Sequence, residues 1–276
     1  MCADEQVGRS TANQVSDLVV AILAGGAGLR LRSVLADRPK VLAPIGGQPF
    51  LQILLDHLAA AGLRRAVICT GYLGHQVERT LGQTHRSLSL SYSLEPQPLG
   101  TAGALRHALR LLTSDPVLVL NGDSYVDIDL RRFLLQHLAW GASGSVALTY
   151  VSDVARYGRV QMTDSGVITR FDEKVSGPLI SPNGGRHGVD CSRVDPPEEV
   201  ITEEGWVNAG VYLLSQRVLA SIPRGRAVSL EYETLPGWIG RGLCGFPVAG
   251  RFLDIGTPRS YAEAGTTLQS HHAGSR

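Results

Sequence analysis

From position 18 the chain alternates short, almost wholly apolar runs with longer stretches in which apolar residues recur every three or four positions. That is the pattern of a mostly parallel sheet covered by helices on both faces. The run LVVAILA at 18–24 reads as a first strand buried on both sides. A Gly-rich turn follows. Pro49 then stands where a helix can begin, with Phe50, Ile53, Leu54 and Leu58 on one face and Gly62 at its end. AVICT at 66–70 is a second strand, followed by a short helix after Gly74, a strand at 88–94, a helix over 101–112 and a very apolar strand, PVLVLN, ending at Asn121. Four strands joined by crossovers make one doubly wound half.

Beyond Asp129 a further helix precedes the strand SVALTYV at 145–151. The texture then changes to alternating runs, GRVQM and GVITRF, on either side of a turn at 164–166, which predicts a hairpin. Residues 176–205 are rich in Gly, Pro and charge with few apolar positions, and read as a mobile surface loop. VNAGVYLL at 207–214 restores a buried strand, a helix starts near Leu230, and Pro258 can open a last helix. The fold class expected is α/β: a Rossmann-like, doubly wound mixed sheet with a small inserted β lobe facing the substrate. It would form a single domain over 18–270, preceded by a flexible tail over 1–17.

Composition narrows the classes of partner. The 276 residues suffice to bury a substantial core. With 26 basic and 25 acidic residues the net charge is +1, so no global field draws nucleic acid or an anionic membrane. Any phosphate binding must be local. Cys2, Cys69, Cys191 and Cys244 are scattered and form no CxxC pair, which favours free thiols in a reducing compartment over a zinc site. The apolar runs are strand-sized and the opening segment lacks the core of a signal peptide. A cytoplasmic protein without nucleic-acid or membrane partners is expected; homo-oligomerisation stays open.

Local chemistry concentrates in a few segments. In AILAGGAGLRLRSVLADRPKVLAPI, Leu23 and Ala24 end the first strand, and Gly25, Gly26 and Gly28 follow directly, where backbone amides can approach phosphate oxygens without Cβ obstruction. A dinucleotide fingerprint or a plain tight turn starts the same way. Arg30 and Lys40 add two cations that a dinucleotide site does not need, and a P-loop would require GKS or GKT. SLEPQPLGTAGAL at 93–105 ends a strand with Glu95, turns through two prolines, and enters a helix after Gly100 and Thr101, where free amides attract anions. NGDSYVDID puts Asp123 at the carboxyl end of PVLVLN, and Asp254 lies in FLDIGTP; the two can supply the sparse carboxylate set that a hydrated, phosphate-bound Mg²⁺ prefers. Asp127 and Asp129 read instead as a solvated helix start. RYGRV, FDEK and WVNAGVY contribute Gly158, Glu173 with Lys174, and Asn208 with Gly210.

Residues 23–45 resemble, almost throughout, the LAGGxGxRLxxxxxxxPKxLxPI signature of the sugar-1-phosphate nucleotidylyltransferases. AGGAGLRLRS, PQPLGTAGAL, NGDSY, ARYGRV and DIGTP together are similar to motifs of the D-glycero-D-manno-heptose 1-phosphate guanylyltransferases. The resemblance implies that Leu23, Ala24, Gly25, Gly26, Gly28, Glu95, Gly100 and Thr101 bind the nucleotide and that Arg30, Lys40 and Lys174 are catalytic. It also implies that Gly158, Glu173, Lys174 and Asn208 hold the sugar phosphate, with Asp123 and Asp254 on Mg²⁺. Position 29 is Leu where the family usually has Thr, so one hydroxyl is missing from the loop. A carboxylate at Glu95 can accept from both N1–H and N2–H of guanine, which makes GTP the first choice. The expected reaction is transfer of GMP from GTP to a sugar 1-phosphate, a heptose first, with release of pyrophosphate. Alternatives are uridylyl or other nucleotidylyl transfer to mannose, glucose or amino-sugar 1-phosphate, and a catalytically silent nucleotide-sugar-binding subunit. A nicotinamide enzyme is disfavoured, since no acidic ribose reader stands about twenty residues after the glycines.

Overall fold

A computed structural model describes residues 14–26, 28–31, 34–35, 38–154, 157–173 and 203–272. The strands are β1 (Val19–Ala24), β2 (Pro44–Ile45), β3 (Gln48–Pro49), β4 (Arg65–Thr70), β5 (Thr84–His85), β6 (Leu88–Leu94), β7 (Val117–Asn121), β8 (Ser124–Val126), β9 (Gly144–Val151), β10 (Gly158–Met162), β11 (Ile168–Glu173), β12 (Gly205–Leu214), β13 (Leu243–Val248) and β14 (Phe252–Asp254). The helices are α1 (Phe50–Ala60), α2 (Gly74–Leu81), α3 (Gly100–Ala108), α4 (Leu130–Trp140), α5 (Gln216–Ser221), α6 (Leu235–Gly237) and α7 (Pro258–His272), with a π-helical turn at Leu230–Thr234. Of 1–17, expected as a flexible tail, residues 1–13 lie outside the described residues, whereas 14–17 form a helical turn that buries Val15. The loop expected at 176–205 lies outside the described residues up to 202.

Strands β7, β1, β4 and β6 run parallel, each joined to the next in sequence by a helix or turn, which is the doubly wound half. Alternation along each strand sends successive side chains to opposite faces. Val20, Ile22, Leu118 and Leu120 therefore join one core with α1 residues Leu51, Leu54 and Leu58. Val19, Ala21, Val117 and Val119 join the other with α3 residues Ala102, Leu105 and Ala108. Asp129 caps α4 by accepting from the Arg132 amide at 3.0 Å, as its reading as a helix start requires.

The second half makes the sheet mixed. Strand β12 is antiparallel to β7 through Val211–Leu214, pairs with β9 along its length, and β13 adds in parallel to β9. Because β7 ends at Asn121 opposite the middle of β12, the first half of β12 projects past the carboxyl ends of the parallel strands. There Trp206 pairs with Val160 of β10, and β10 pairs with β11 as the expected hairpin. The inserted lobe is thus built onto the main sheet and stands as a wall above its carboxyl edge.

Candidate active site

The carboxyl ends of β1, β4, β6 and β7 open on one cleft of about 590 Å³, a size suited to a nucleotide-scale ligand. Leu23, Ala24, Gly25 and Gly26 form its floor; Glu95, Gly100 and Thr101 line one side; Lys40 and Asp123 lie at the other. Open α/β sheets collect ligands at this edge because strand-end loops there diverge to opposite faces.

Lys40 follows Pro39 on a 3₁₀ turn, Lys40–Leu42, that buries Val41 and Leu42. Its Nζ donates to Asp123 Oδ2 at 2.6 Å, with the Lys40 side chain only 12% exposed, so a fixed cation faces the cleft. Gly28, at φ +58°, gives Lys40 the room it needs: a Cβ there would lie 3.2 Å from that of Lys40. Asp254 reaches the same place from the other end of the chain. Strands β8 and β14 pair so that Asp254 is opposite Ser124, and the Ile255 amide donates to the Asp123 carbonyl at 3.0 Å. Burial, and then the neighbouring Asp123 carboxylate, push the Asp254 carboxyl above its usual range, against the opposing pull of Lys40, the Gly256 amide and Ser260. Two carboxylates held together in this way resist joint ionisation, and a divalent cation relieves that strain. The pair fits Mg²⁺ on this ground. Among the described residues there is no cluster of three or more acidic, His or Cys ligands, so a metal held here would take its remaining ligands from phosphate and water.

The nucleotide side has a tighter construction than the motifs suggest. Glu95 Oε2 accepts from the Leu99 amide at 2.7 Å, closing the loop through Pro96 and Pro98. The other oxygen fills a slot between two glycines: a Cβ on Gly25 would lie 2.1 Å from Oε1, and one on Gly71 2.8 Å. Burial raises the Glu95 pKa, and the Leu99 hydrogen bond opposes the shift. Gly100 has φ +71°, and a Cβ there would meet the Val228 carbonyl oxygen at 2.5 Å, so this glycine serves backbone packing as well as the cleft. Thr101 does not cap α3. Its hydroxyl donates to Glu231 Oε2 and accepts from the Leu230 amide, both at 2.7 Å.

The sugar-side candidates gather on the wall above. Gly158, at φ +91°, pairs with Glu173 across the hairpin. Strand alternation puts Gly158, Val160, Trp206 and Asn208 on one face, where Tyr150 and Trp206 make an edge-on aromatic pair at 5.2 Å. Asn208 Oδ1 accepts from the Gly210 amide at 3.0 Å, and Nδ2 donates to the Tyr212 hydroxyl at 2.8 Å. Arg30 is exposed on the 3₁₀ turn Leu29–Leu31 and does not line the cleft, so the convergence expected of Arg30 and Lys40 is seen for Lys40 alone. Lys174 lies outside the described residues, and only the backbone of Glu173 is described.

Gly71, Tyr72 and Asn121, to which no motif in the sequence assigns a role, also line the cleft. Their signal was positional: each stands at or just after the carboxyl end of a central strand. Asn121 Oδ1 is buried without a hydrogen-bond partner. An unsatisfied buried acceptor in a ligand cleft awaits a donor from the ligand or its water.

A strand-end glycine loop, a lysine held by one aspartate and a second aspartate behind it match what nucleotidyl transfer demands. The chain belongs to the nucleotidyl transferase family, whose model matches residues 19–271. It is 33% identical over 251 residues to the D-glycero-alpha-D-manno-heptose 1-phosphate guanylyltransferase of Aneurinibacillus thermoaerophilus, spanning 91% of this chain and 98% of that one. It is 31% identical over 251 residues to the mannose-1-phosphate guanylyltransferase of Mycobacterium tuberculosis, spanning 90% of this chain and 63% of that one. HddC from Yersinia pseudotuberculosis, in its crystal structure complexed with GMP-PN, superposes with a TM-score of 0.72 at 28% identity, covering 91% of this chain and 99% of HddC. No helix among the described residues is long and apolar enough to cross a membrane.

Proposed function

We propose that the chain transfers GMP from GTP to a heptose 1-phosphate, forming a GDP-heptose and pyrophosphate. One observation carries the reading: the glycine loop, Glu95 and the Lys40–Asp123 pair, with Asp254 beside it, meet at a single cleft. The likeness to heptose 1-phosphate guanylyltransferases over nearly the whole of both chains favours guanosine and heptose over the alternatives.

In this reading the sugar 1-phosphate oxygen attacks the α-phosphorus in line, the bond to the β-phosphate oxygen breaks, and pyrophosphate departs. No protein nucleophile is required. Amides of Gly25 and Gly26 hold the triphosphate, Glu95 accepts from the guanine edge, and Lys40 neutralises charge as the two phosphates are brought together. Lys174, next to Glu173 at the end of β11, would hold the sugar phosphate, with Gly158 and Asn208 facing its hydroxyls. Asp123 and Asp254 would hold Mg²⁺, which supplies charge neutralisation on the phosphates when bound. Arg30 would reach the triphosphate only by moving from its exposed position. The buried thiols of Cys69 and Cys244 suit a cytoplasmic setting, where GTP is at hand.

The test is a matrix of four nucleoside triphosphates against heptose, mannose, glucose and amino-sugar 1-phosphates with Mg²⁺, read as pyrophosphate formed. GTP with D-glycero-alpha-D-manno-heptose 1-phosphate should give the highest kcat/KM. A higher value for mannose 1-phosphate would move the assignment to the mannose enzymes, and GTP binding without pyrophosphate release in any pairing would support a silent binding subunit.

A further inference from the structure

The side of the cleft facing α3 hides a carboxylate that the reaction scheme leaves unused. Glu231 sits on the π-helical turn Leu230–Thr234 and is 9% exposed. Turns of this kind are uncommon and concentrate at functional sites. Three hydroxyls approach its carboxylate: Thr101 donates to Oε2 at 2.7 Å, Ser229 to Oε2 at 3.1 Å, and Tyr212 to Oε1 at 3.4 Å. Each comes from a different part of the fold. Thr101 is at the start of α3 and lines the nucleotide cleft, Ser229 caps the π turn, and Tyr212 is fully buried on β12.

The donors have fixed directions. The Thr101 oxygen already accepts from the Leu230 amide, so its hydrogen is free to go to Glu231. The Ser229 oxygen accepts from the Tyr232 amide. The Tyr212 oxygen accepts from Asn208 Nδ2, so its hydrogen likewise points to Glu231. Asn208 Oδ1 in turn accepts from the Gly210 amide. A continuous chain therefore runs from Thr101 at the nucleotide cleft, through Glu231 and Tyr212, to the amide of Asn208 on the sugar-side wall.

Resting on the proposed function, we infer that Glu231 is a positioning residue that holds the nucleotide side and the sugar side of the cleft in one register. It touches neither substrate. Its carboxylate fixes the start of α3 from one oxygen and, through Tyr212 from the other, which way the Asn208 amide faces. In-line transfer is sensitive to such spacing, since small misplacements of reacting groups cost large factors in rate. An amide at 231 cannot serve both arms: it has one accepting oxygen, so its NH₂ replaces the acceptor either of Thr101 and Ser229 or of Tyr212.

Steady-state kinetics with GTP and D-glycero-alpha-D-manno-heptose 1-phosphate test this in wild type, Tyr212→Phe, Glu231→Gln and the double variant, with thermal unfolding in parallel. Tyr212→Phe should raise the KM for the sugar phosphate about threefold to tenfold while the KM for GTP stays within about twofold. Glu231→Gln should raise both KM values and lower kcat, and the double variant should fall short of the sum of the two single effects, because both changes remove the same bond between Tyr212 and the carboxylate. Thr101→Val, which removes the hydroxyl, should raise the KM for GTP, and Thr101→Ser, which restores it, should recover most of that loss. Variants that lose only thermal stability and keep both KM values and kcat, or a double variant whose effects simply add, would overturn the inference. Wild type in the same assay separates the two levels: without pyrophosphate from wild type the proposed function fails, whereas an active wild type with unaffected variants removes only the role of Glu231.

Discussion

Replacing Gly25 by Ala puts one methyl group into a slot already filled by the Glu95 carboxylate. The new Cβ would lie 2.1 Å from Oε1 and 3.3 Å from the carboxyl carbon, far inside contact distance. Gly25 has no positive φ, so the alanine itself is not strained and the conflict falls on Glu95. To relieve the contact the carboxylate must swing out of the slot. Swinging out breaks the bond from the Leu99 amide to Oε2. Losing a hydrogen bond to a charged group costs about 1.5–3 kcal/mol. For a domain of this size that lowers Tm by about 3–12 °C. GTP affinity should fall about tenfold or more, since the phosphate loop and the proposed base reader move together. Calorimetric titration with GTP and scanning calorimetry read the two effects. The decisive comparison is with Glu95→Ala, which empties the slot: Gly25→Ala/Glu95→Ala should be within about 0.5 kcal/mol of Glu95→Ala in both stability and GTP binding. If the two substitutions add in full, Gly25 and Glu95 are not in contact and the described geometry of the nucleotide side is wrong.

Other consequences are as direct. Lys40→Met removes the cation from beside Asp123 and should lower kcat about a hundredfold or more in the pyrophosphate assay; turnover within twofold of wild type would exclude Lys40 from catalysis. Gly100→Ala combines a left-handed backbone position, worth about 1–2 kcal/mol for an L residue, with contact on the Val228 carbonyl oxygen, and should lower Tm measurably; an unchanged Tm would mean that Val228 does not pack there. His137, buried on α4 and bonded to the Ser145 hydroxyl at 2.8 Å, is held down to a pKa of about 4 chiefly by burial. Between its unfolded value near 6.5 and about 4, the folded protein binds fewer protons than the unfolded chain, so its contribution to stability is complete above this window and is lost as pH falls through it. The loss amounts to about 3 kcal/mol. His137→Gln should flatten the stability profile over that range in urea titrations, and an unchanged slope would assign the acid sensitivity elsewhere.

What could be read from the sequence was whatever one segment carries by itself. β1, β4 and β7 announce themselves because strands buried on both faces are apolar at nearly every position, β6 because LSLSYSL alternates, and α1 because Phe50, Leu54 and Leu58 repeat at helical spacing. The glycine loop, Glu95 and Asp123 were legible because their motifs sit at strand ends, which the sheet order then brings together, and Lys40 because its PK motif follows the loop. Relations between distant segments were not. Thr101 and Glu231 are 130 positions apart, and nothing local in GTAGAL marks that hydroxyl as a link to the π turn. Gly100 looks like a concession to the nucleotide, yet the backbone at Val228 already demands it. The hairpin was visible in the alternation of GRVQM and GVITRF, but its docking on the overhanging half of β12 depends on where β7 stops. Arg30 shows the limit of motif position: the motif brings it to the triphosphate on paper, while the 3₁₀ turn after Gly28 leaves it at the surface.

The central claim is that the α-phosphate of GTP leaves this cleft attached to a heptose. Protein, Mg²⁺ and D-glycero-alpha-D-manno-heptose 1-phosphate mixed with GTP carrying a radioactive α-phosphate put the claim to its most direct trial, with the products separated by anion exchange and weighed by mass spectrometry. All converted label should appear in a GDP-heptose, with one pyrophosphate per product. Label recovered as free GMP or in unreacted GTP, with no sugar nucleotide formed, would contradict the account.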